Sequence, residues 1–285
     1  MGMLDGQVVF ITGGARGQGR AHAEASAREG ADVIVVDVEQ QNDTVPYALG
    51  TAAELEETVR LVEAHGRRCI AQTADVRFQE QIDAAVERGI SELGHIDALI
   101  ANAGIWTRAP FWEMTEQVWQ DMLDINLTGV WKSAKAVTPH MIERKKGSIV
   151  IISSVNGLEP GPQFCHYTST KHGLIGLMKT IALELAPHGI RCNSINPGAI
   201  RTGMTDHQGA WDLFAGHEGG TEAEMLEGGY MFSALKACTF LPPEVIANTA
   251  LYLNSHLAAA VTGVTIPVDA GHLLLTGINP APVRA

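Results

Sequence analysis

Val8-Val-Phe-Ile-Thr12-Gly13-Gly-Ala-Arg16-Gly17-Gln18-Gly19-Arg20 is an apolar, β-branched run followed at once by a glycine-rich turn. From Arg20 to Glu29 the pattern becomes helical, and Gly30 ends it. Strand, glycine turn, helix is the setting in which glycines let a backbone approach a pyrophosphate while the helix N-terminus supplies positive potential. The spacing here is Gly-x-x-x-Gly-x-Gly, which differs from the common Gly-x-Gly-x-x-Gly fingerprint. A turn that only closes strand onto helix would carry the same glycines. The two correct flanks favour a nucleotide, with Gly13, Arg16, Gly17, Gln18 and Gly19 as candidate contacts.

The next strand, Ala31-Asp-Val-Ile-Val-Val-Asp37, is a long apolar run of the kind a buried parallel strand needs. It ends in Asp37, followed by Val38. A carboxylate at that strand end accepts hydrogen bonds from ribose hydroxyls and repels a 2'-phosphate, which points to NAD rather than NADP. Arg16 argues the other way, because a guanidinium in the turn can clamp a 2'-phosphate. No basic residue follows Asp37 in Val38-Glu39-Gln40.

Working outward, 38–50 reads as an irregular connection that either folds over the adenosine end of the site or extends the surface. Thr51-Ala-Ala-Glu54 has capping-box form and starts a helix running to Gly66. A strand from Arg67 to Ala74 leads to Asp75-Val76, a helix covers Phe78 to Leu93, and a strand from Ile96 to Ile100 runs into Asn102-Ala103-Gly104. Thr115 to Lys146 is the longest helical stretch and embeds Asn126 in an apolar stripe. A strand from Ser148 to Ser153 delivers Ser154; the helix from Phe164 to Pro187 carries Tyr167 and Lys171. Ile190 to Asn196 ends at Pro197-Gly198, a last helix follows Pro242-Pro243, and Val264 to Val268 is the final strand. Strands and helices alternate without a break in composition over 1–285. The expected fold is α/β: a single-domain Rossmann-type doubly wound parallel sheet of about seven strands with helices on both faces and ligands at the strands' carboxyl ends. The glycine-punctuated segment 203–241, with Trp211, Phe214, Met225, Tyr230, Met231 and Phe232, suits a helical substrate lid, although a peripheral helix pair would look alike. The tail 272–285 is expected to reach a neighbouring subunit or fray.

Composition narrows the function. The chain has 285 residues and a formal net charge of -12, which argues against nucleic-acid binding. No apolar run approaches the ~18 residues of a membrane span, and Met1 to Gln7 shows no secretory signal, so a cytoplasmic protein is expected. Cys69, Cys165, Cys192 and Cys238 are scattered, indicating neither a disulfide framework nor a metal site.

Tyr167-Thr-Ser-Thr-Lys171 places a phenol and an ammonium on one helix face. A nearby cation favours phenolate and brings tyrosine toward the working range of an acid-base catalyst. Alone the pair is too short to decide anything. Together with Thr12-Gly13-x-x-x-Gly17-x-Gly19, Asp37, Asp75-Val76, Asn102-Ala-Gly104, Asn126, Ser154 and Asn196-Pro-Gly198, in that order, the chain resembles the short-chain dehydrogenase/reductase family along nearly its whole length. Gly14-Ala-Arg-Gly-Gln-Gly-Arg20 and the enlarged 38–51 connection, with Asp43-Thr-Val-Pro46, look closest to its carveol dehydrogenase-like, mycofactocin-associated members.

The resemblance implies an NAD-dependent oxidoreductase interconverting a hydrophobic secondary alcohol, cyclic terpenoid-like or aryl, and its ketone. Tyr167 is then the acid-base, Lys171 lowers its pKa and holds the nicotinamide ribose, Ser154 binds the reacting oxygen, and Asn126 positions a water that passes protons from Lys171. Asp75 and Val76 flank the adenine, Asn102, Ala103 and Gly104 the adjoining backbone, and Pro197, Gly198, Ile200 and Thr202 the nicotinamide. Trp106 and Asn156 are substrate-side candidates; His166 is expected to face away. Ala101 departs from the family's usual asparagine, which removes a tie between central strands. A homotetramer and an external redox carrier such as mycofactocin are further implications. The rival reading is a non-catalytic NAD-sensing regulatory protein on the same fold, which would not need Asn126, Ser154, Tyr167 and Lys171 together.

Overall fold

The computed structural model describes residues 2–284; Met1 and Ala285, which end the expected domain and tail, lie outside the described residues. Seven strands form one sheet: β1 (Val8–Thr12), β2 (Asp32–Asp37), β3 (Cys69–Thr73), β4 (Ala98–Ala101), β5 (Gly147–Ile152), β6 (Ile190–Pro197) and β7 (Thr265–Val268). Their order is β3-β2-β1-β4-β5-β6-β7, and the pairings are parallel. Chain order reverses between β1 and β4, so the carboxyl ends of these strands open the crevice where an open α/β sheet binds ligands. Among the described residues nine α-helices connect and cover the strands: α1 (Gly17–Arg28), α2 (Ala52–Ala64), α3 (Gln79–Leu93), α4 (Glu116–Leu123), α5 (Gly129–Arg144), α6 (Cys165–Leu185), α7 (Gln208–Ala215), α8 (Glu222–Gly229) and α9 (Glu244–Asn254).

The near-continuous apolar strands have the physical cause expected of them: both faces are buried. In β1, Val8 and Phe10 face a core built with α3, α5 and α6, while Val9 and Ile11 face another built with α1, α2 and α9. The predicted capping box is present at the start of α2, where Thr51 Oγ1 accepts from Glu54 N at 3.2 Å and Glu54 Oε2 accepts from Thr51 N at 3.0 Å.

The structure adds detail to three expectations. The long helical stretch 115–146 is two α-helices joined by a π-helical turn, Asp124–Thr128, which holds Asn126 fully buried. Such a one-residue bulge shifts a side chain around the helix axis and is invisible to apolar periodicity. The 38–50 connection does not simply extend the surface. Val45 and Leu49 pack with Ile105 and Met122 in a small core of their own, and Thr44 Oγ1 donates to Asp121 Oδ2 at 2.8 Å. The described part of the tail packs on the 203–241 segment of its own chain, with Asn279 N donating to Met231 O at 2.7 Å and Ala237 N to Val283 O at 2.8 Å.

Candidate active site

Gly13 shows why the first turn takes glycines. Its φ is +69°, and a Cβ there would stand 2.9 Å from Ala103 Cα. At Gly19 a Cβ would lie 1.8 Å from the Gly13 carbonyl oxygen, so this glycine seats helix α1 against the turn. Gly13, Arg16, Gly17 and Gln18 line the cavity, with Gly19 behind them at the start of the helix. The spot left by the missing side chains is a backbone cradle above a helix N-terminus, shaped for a phosphate.

The cavity, about 630 Å³, runs from that cradle along the carboxyl ends of the strands. From β2 come Asp37 and Val38, from the end of β3 Asp75 and Val76, and from the end of β4 Asn102, Ala103 and Gly104. Beyond β6 lie Pro197, Gly198, Ile200 and Thr202. Asp37 Oδ2 accepts from Ala15 N and Oδ1 from Val38 N, both at 2.8 Å, leaving each oxygen further acceptor capacity toward the cavity. Burial pushes the Asp37 carboxyl up, against which those two N–H bonds and the Arg16 guanidinium hold it down. Arg16 itself is tied to the Ala48 carbonyl, which binds the glycine turn to the 38–50 connection. Asn102 stands in for the asparagine missing at Ala101. Its Nδ2 donates to Thr12 O at 3.0 Å and Gly13 O at 3.1 Å, and Thr12 Oγ1 accepts from Asn102 N and Ala103 N, so β1 and β4 remain tied. A phosphate cradle, a carboxylate for a ribose and a continuous slot between them fit a dinucleotide such as NAD.

At the other end stand Ser154, Tyr167 and Lys171, with Trp106 and Asn156 beside them in the lining. The Lys171 ammonium is 5.4 Å from the centre of the Tyr167 ring and donates to the Ile152 carbonyl at 3.0 Å. Ser154 Oγ accepts from Asn156 N at 3.1 Å, and Asn196 is bonded to the Ser154 carbonyl, which fixes the serine backbone. Burial pushes the Tyr167 phenol up to about 12, with the Ser154 side chain opposing the rise. Burial also brings Lys171 down to about 7. In the protein by itself desolvation therefore outweighs the acidifying effect expected of the ammonium, because each charged form loses its hydration.

Asn126 stands behind the cavity wall, fully buried. Its side chain is absent from the cavity lining; Oδ1 accepts from Ile105 N and Nδ2 donates to Ile105 O, each at 2.8 Å. Its amide is spent on holding the loop after β4. His166 is turned the same way, meeting Thr107 Oγ1 at 2.7 Å, and burial lowers it to about 4.

Several lining residues carried no sequence signal. Tyr47 comes from the irregular connection, and Glu159 and His272, both in the lining, meet at 2.5 Å although 113 positions apart. Within 203–241, Phe214 and Phe232 line the cavity, whereas Trp211, Met225, Tyr230 and Met231 do not. Among the described residues no group of three or more His, Cys, Asp or Glu side chains is placed to hold a metal, and no helix is long and apolar enough to cross a membrane.

A nucleotide cradle joined to a serine, a tyrosine and a lysine on a seven-stranded parallel sheet defines a dehydrogenase class, and residues 7–213 match the short chain dehydrogenase family. The chain belongs to that family. It is 43% identical over 277 residues to (-)-trans-carveol dehydrogenase of Rhodococcus erythropolis, covering 96% of this chain and 100% of that one. The crystal structure of carveol dehydrogenase from Mycobacterium avium in complex with NAD superposes with a TM-score of 0.93 at 39% identity, covering 96% and 100% of the two chains. A short chain dehydrogenase from Mycobacterium paratuberculosis bound to NAD gives a TM-score of 0.86 at 38% identity, with 96% and 100% covered.

Proposed function

We propose that this chain is an NAD-dependent alcohol dehydrogenase that interconverts a hydrophobic secondary alcohol, of the cyclic terpenoid or aryl kind, and its ketone. The observation that carries the reading is the convergence of Ser154, Tyr167 and Lys171 on one end of a cavity whose other end is the Gly13 turn and Asp37. The NAD-bound relatives and the carboxylate of Asp37 support NAD as the cofactor. A terpenoid-like substrate is supported by the carveol dehydrogenase relative and by Trp106, Phe164, Phe214 and Phe232 in the lining.

Nicotinamide, when bound, supplies the carbon that accepts or returns hydride. The protein does the rest. Ser154 and Tyr167 hold the substrate oxygen between their hydroxyls, and Tyr167 as phenolate takes the proton of the alcohol. In ketone reduction the phenol gives it back. The Lys171 ammonium, 5.4 Å from the ring centre, lowers the cost of the phenolate, and oxidised nicotinamide would add its own positive charge when bound. Asn126 acts through Ile105, keeping the loop that forms one wall in place. The NAD-sensing alternative loses ground because a binding protein has no use for the buried Tyr167–Lys171 pair.

Tyr47 and Leu49 bring the 38–50 connection into the cavity lining, which supports tight retention of the nicotinamide and with it reoxidation by an external carrier such as mycofactocin. Exposed Trp119, Trp131 and Leu183 on α4, α5 and α6 support a homotetramer built through those helices, which sedimentation would test.

The deciding experiment follows the NADH absorbance band with carveol and a panel of cyclic and aryl secondary alcohols. Tyr167→Phe is expected to lower kcat about 100- to 10,000-fold. Lys171→Met is expected to move the alkaline limb of the pH–rate profile upward. Wild-type turnover with none of the alcohols, in the presence of NAD and an artificial electron acceptor, would remove the reading.

A further inference from the structure

Tyr47 uses only half of its hydroxyl. The oxygen accepts from Trp106 N at 2.8 Å, and among the described residues no acceptor lies within hydrogen-bonding distance of its proton. The ring cannot turn away to find one. One side packs in the small core that also holds Ile105, Met122 and Tyr167. His207, at the start of the lid helix α7, stacks on it with ring centres 5.1 Å apart and 29° between the planes. Burial at this position pushes the phenol far up, so it stays protonated and acts as a donor.

The surroundings make that donor stand out. Trp106 lies 5.4 Å from Phe164 and 5.6 Å from His207, so the wall around Tyr47 is aromatic. The connection supplying it has no regular structure, yet it is pinned at both sides of Tyr47: Thr44 bonds to Asp121, and Leu49 N donates to Gln41 Oε1 at 2.7 Å. A fixed donor in an apolar wall is how a pocket selects for one more polar atom on its ligand, because an analogue lacking that atom leaves the donor unpaired.

We infer that Tyr47 is a substrate-contacting, specificity-determining residue. Its free proton is donated to a second oxygen of the substrate, distinct from the one held by Ser154 and Tyr167. The preferred ligand is then a cyclic secondary alcohol carrying a further hydroxyl, ether or carbonyl oxygen, rather than the matched ring with a single oxygen. This rests on the alcohol dehydrogenase reading above and sharpens its substrate class.

The test compares cyclohexanol with the three cyclohexanediol regioisomers on the NAD-loaded protein, in wild type and Tyr47→Phe. At least one diol is expected to exceed cyclohexanol about tenfold in kcat/KM, and Tyr47→Phe is expected to reduce that ratio about tenfold. Phenylalanine keeps the stack on His207. Loss of the bond to the Trp106 amide would depress all four alcohols together and leave the ratio unchanged, so a purely structural role is separated. Calorimetric binding of the same four compounds gives the ratio independently of turnover. No diol preference in wild type, an unchanged ratio in Tyr47→Phe, or an effect confined to NAD affinity overturns the inference. Failure of every alcohol, carveol included, would instead sink the dehydrogenase reading beneath it.

Discussion

Asn126 and Ile105 form a closed pair: the asparagine's Oδ1 accepts from the Ile105 N–H and its Nδ2 donates to the Ile105 carbonyl, both at 2.8 Å and both buried. A side-chain amide here replaces the strand partner that the loop after β4 no longer has. Asn126→Ala should leave two buried backbone groups unpaired and cost about 2–5 kcal/mol. The denaturation midpoint in urea would register it. Activity should fall too, because the same loop carries Gly104 and Trp106 into the cavity wall.

His22 lies on the buried face of α1 with neither ring nitrogen partnered among the described residues. Burial lowers its pKa from 6.5 to about 3. The unfolded chain therefore binds a proton that the folded one does not between those limits. Stability from this group is present above about pH 6.5 and is lost as the pH falls toward about 3, at up to about 1.4 kcal/mol per pH unit. His22→Leu should flatten the acid side of the stability curve and raise stability at neutral pH by about 1 kcal/mol or more. Urea midpoints measured from neutral pH to pH ~5 in both proteins check it.

Asp37→Ser removes the carboxylate that faces the cavity from the end of β2. The NAD Michaelis constant should rise about tenfold, the worth of about one charged hydrogen bond. NADP turnover should improve relative to NAD, since the repulsion of a 2'-phosphate is gone and Arg16 stands nearby. Paired kinetics with the two cofactors decide it; an unchanged ratio would show that Asp37 does not face the ribose.

Gly19→Ala would place a methyl 1.8 Å from the Gly13 carbonyl. Overpacking at backbone has no rotamer escape, so a loss of about 3 kcal/mol or more is expected, together with NAD binding. Gly66, where the same methyl would meet nothing within 4 Å, has φ +71° and should lose only the smaller cost of its backbone conformation. Thermal melts of the two variants separate crowding from conformation.

Much of this protein was readable because it is written locally. The apolar strands, the glycine turn, the Thr51–Glu54 capping box and the helix face shared by Tyr167 and Lys171 depend on residues within a few positions of each other. Asp37 and Ser154 were readable for a related reason: in a parallel sheet each strand's carboxyl end points to the same edge, so sequence position gives spatial position. Turn glycines look alike in sequence; only the tertiary structure shows that a Cβ at Gly19 would lie 1.8 Å from the Gly13 carbonyl oxygen, so that this glycine seats α1.

The amino-acid order alone determined the parallel sheet and the glycine turn, and it pointed to Ser154, Tyr167 and Lys171, which share one cavity lining, since periodicity and short spacings carry that information. Tertiary structure alone decided that Asn126 turns to Ile105, that Tyr47 packs in the same small cluster as Tyr167, and that Glu159 meets His272. It also set the burial that raises the Tyr167 phenol and lowers Lys171. These depend on how much water the packed chain removes and on contacts between segments far apart in sequence, quantities no local pattern encodes.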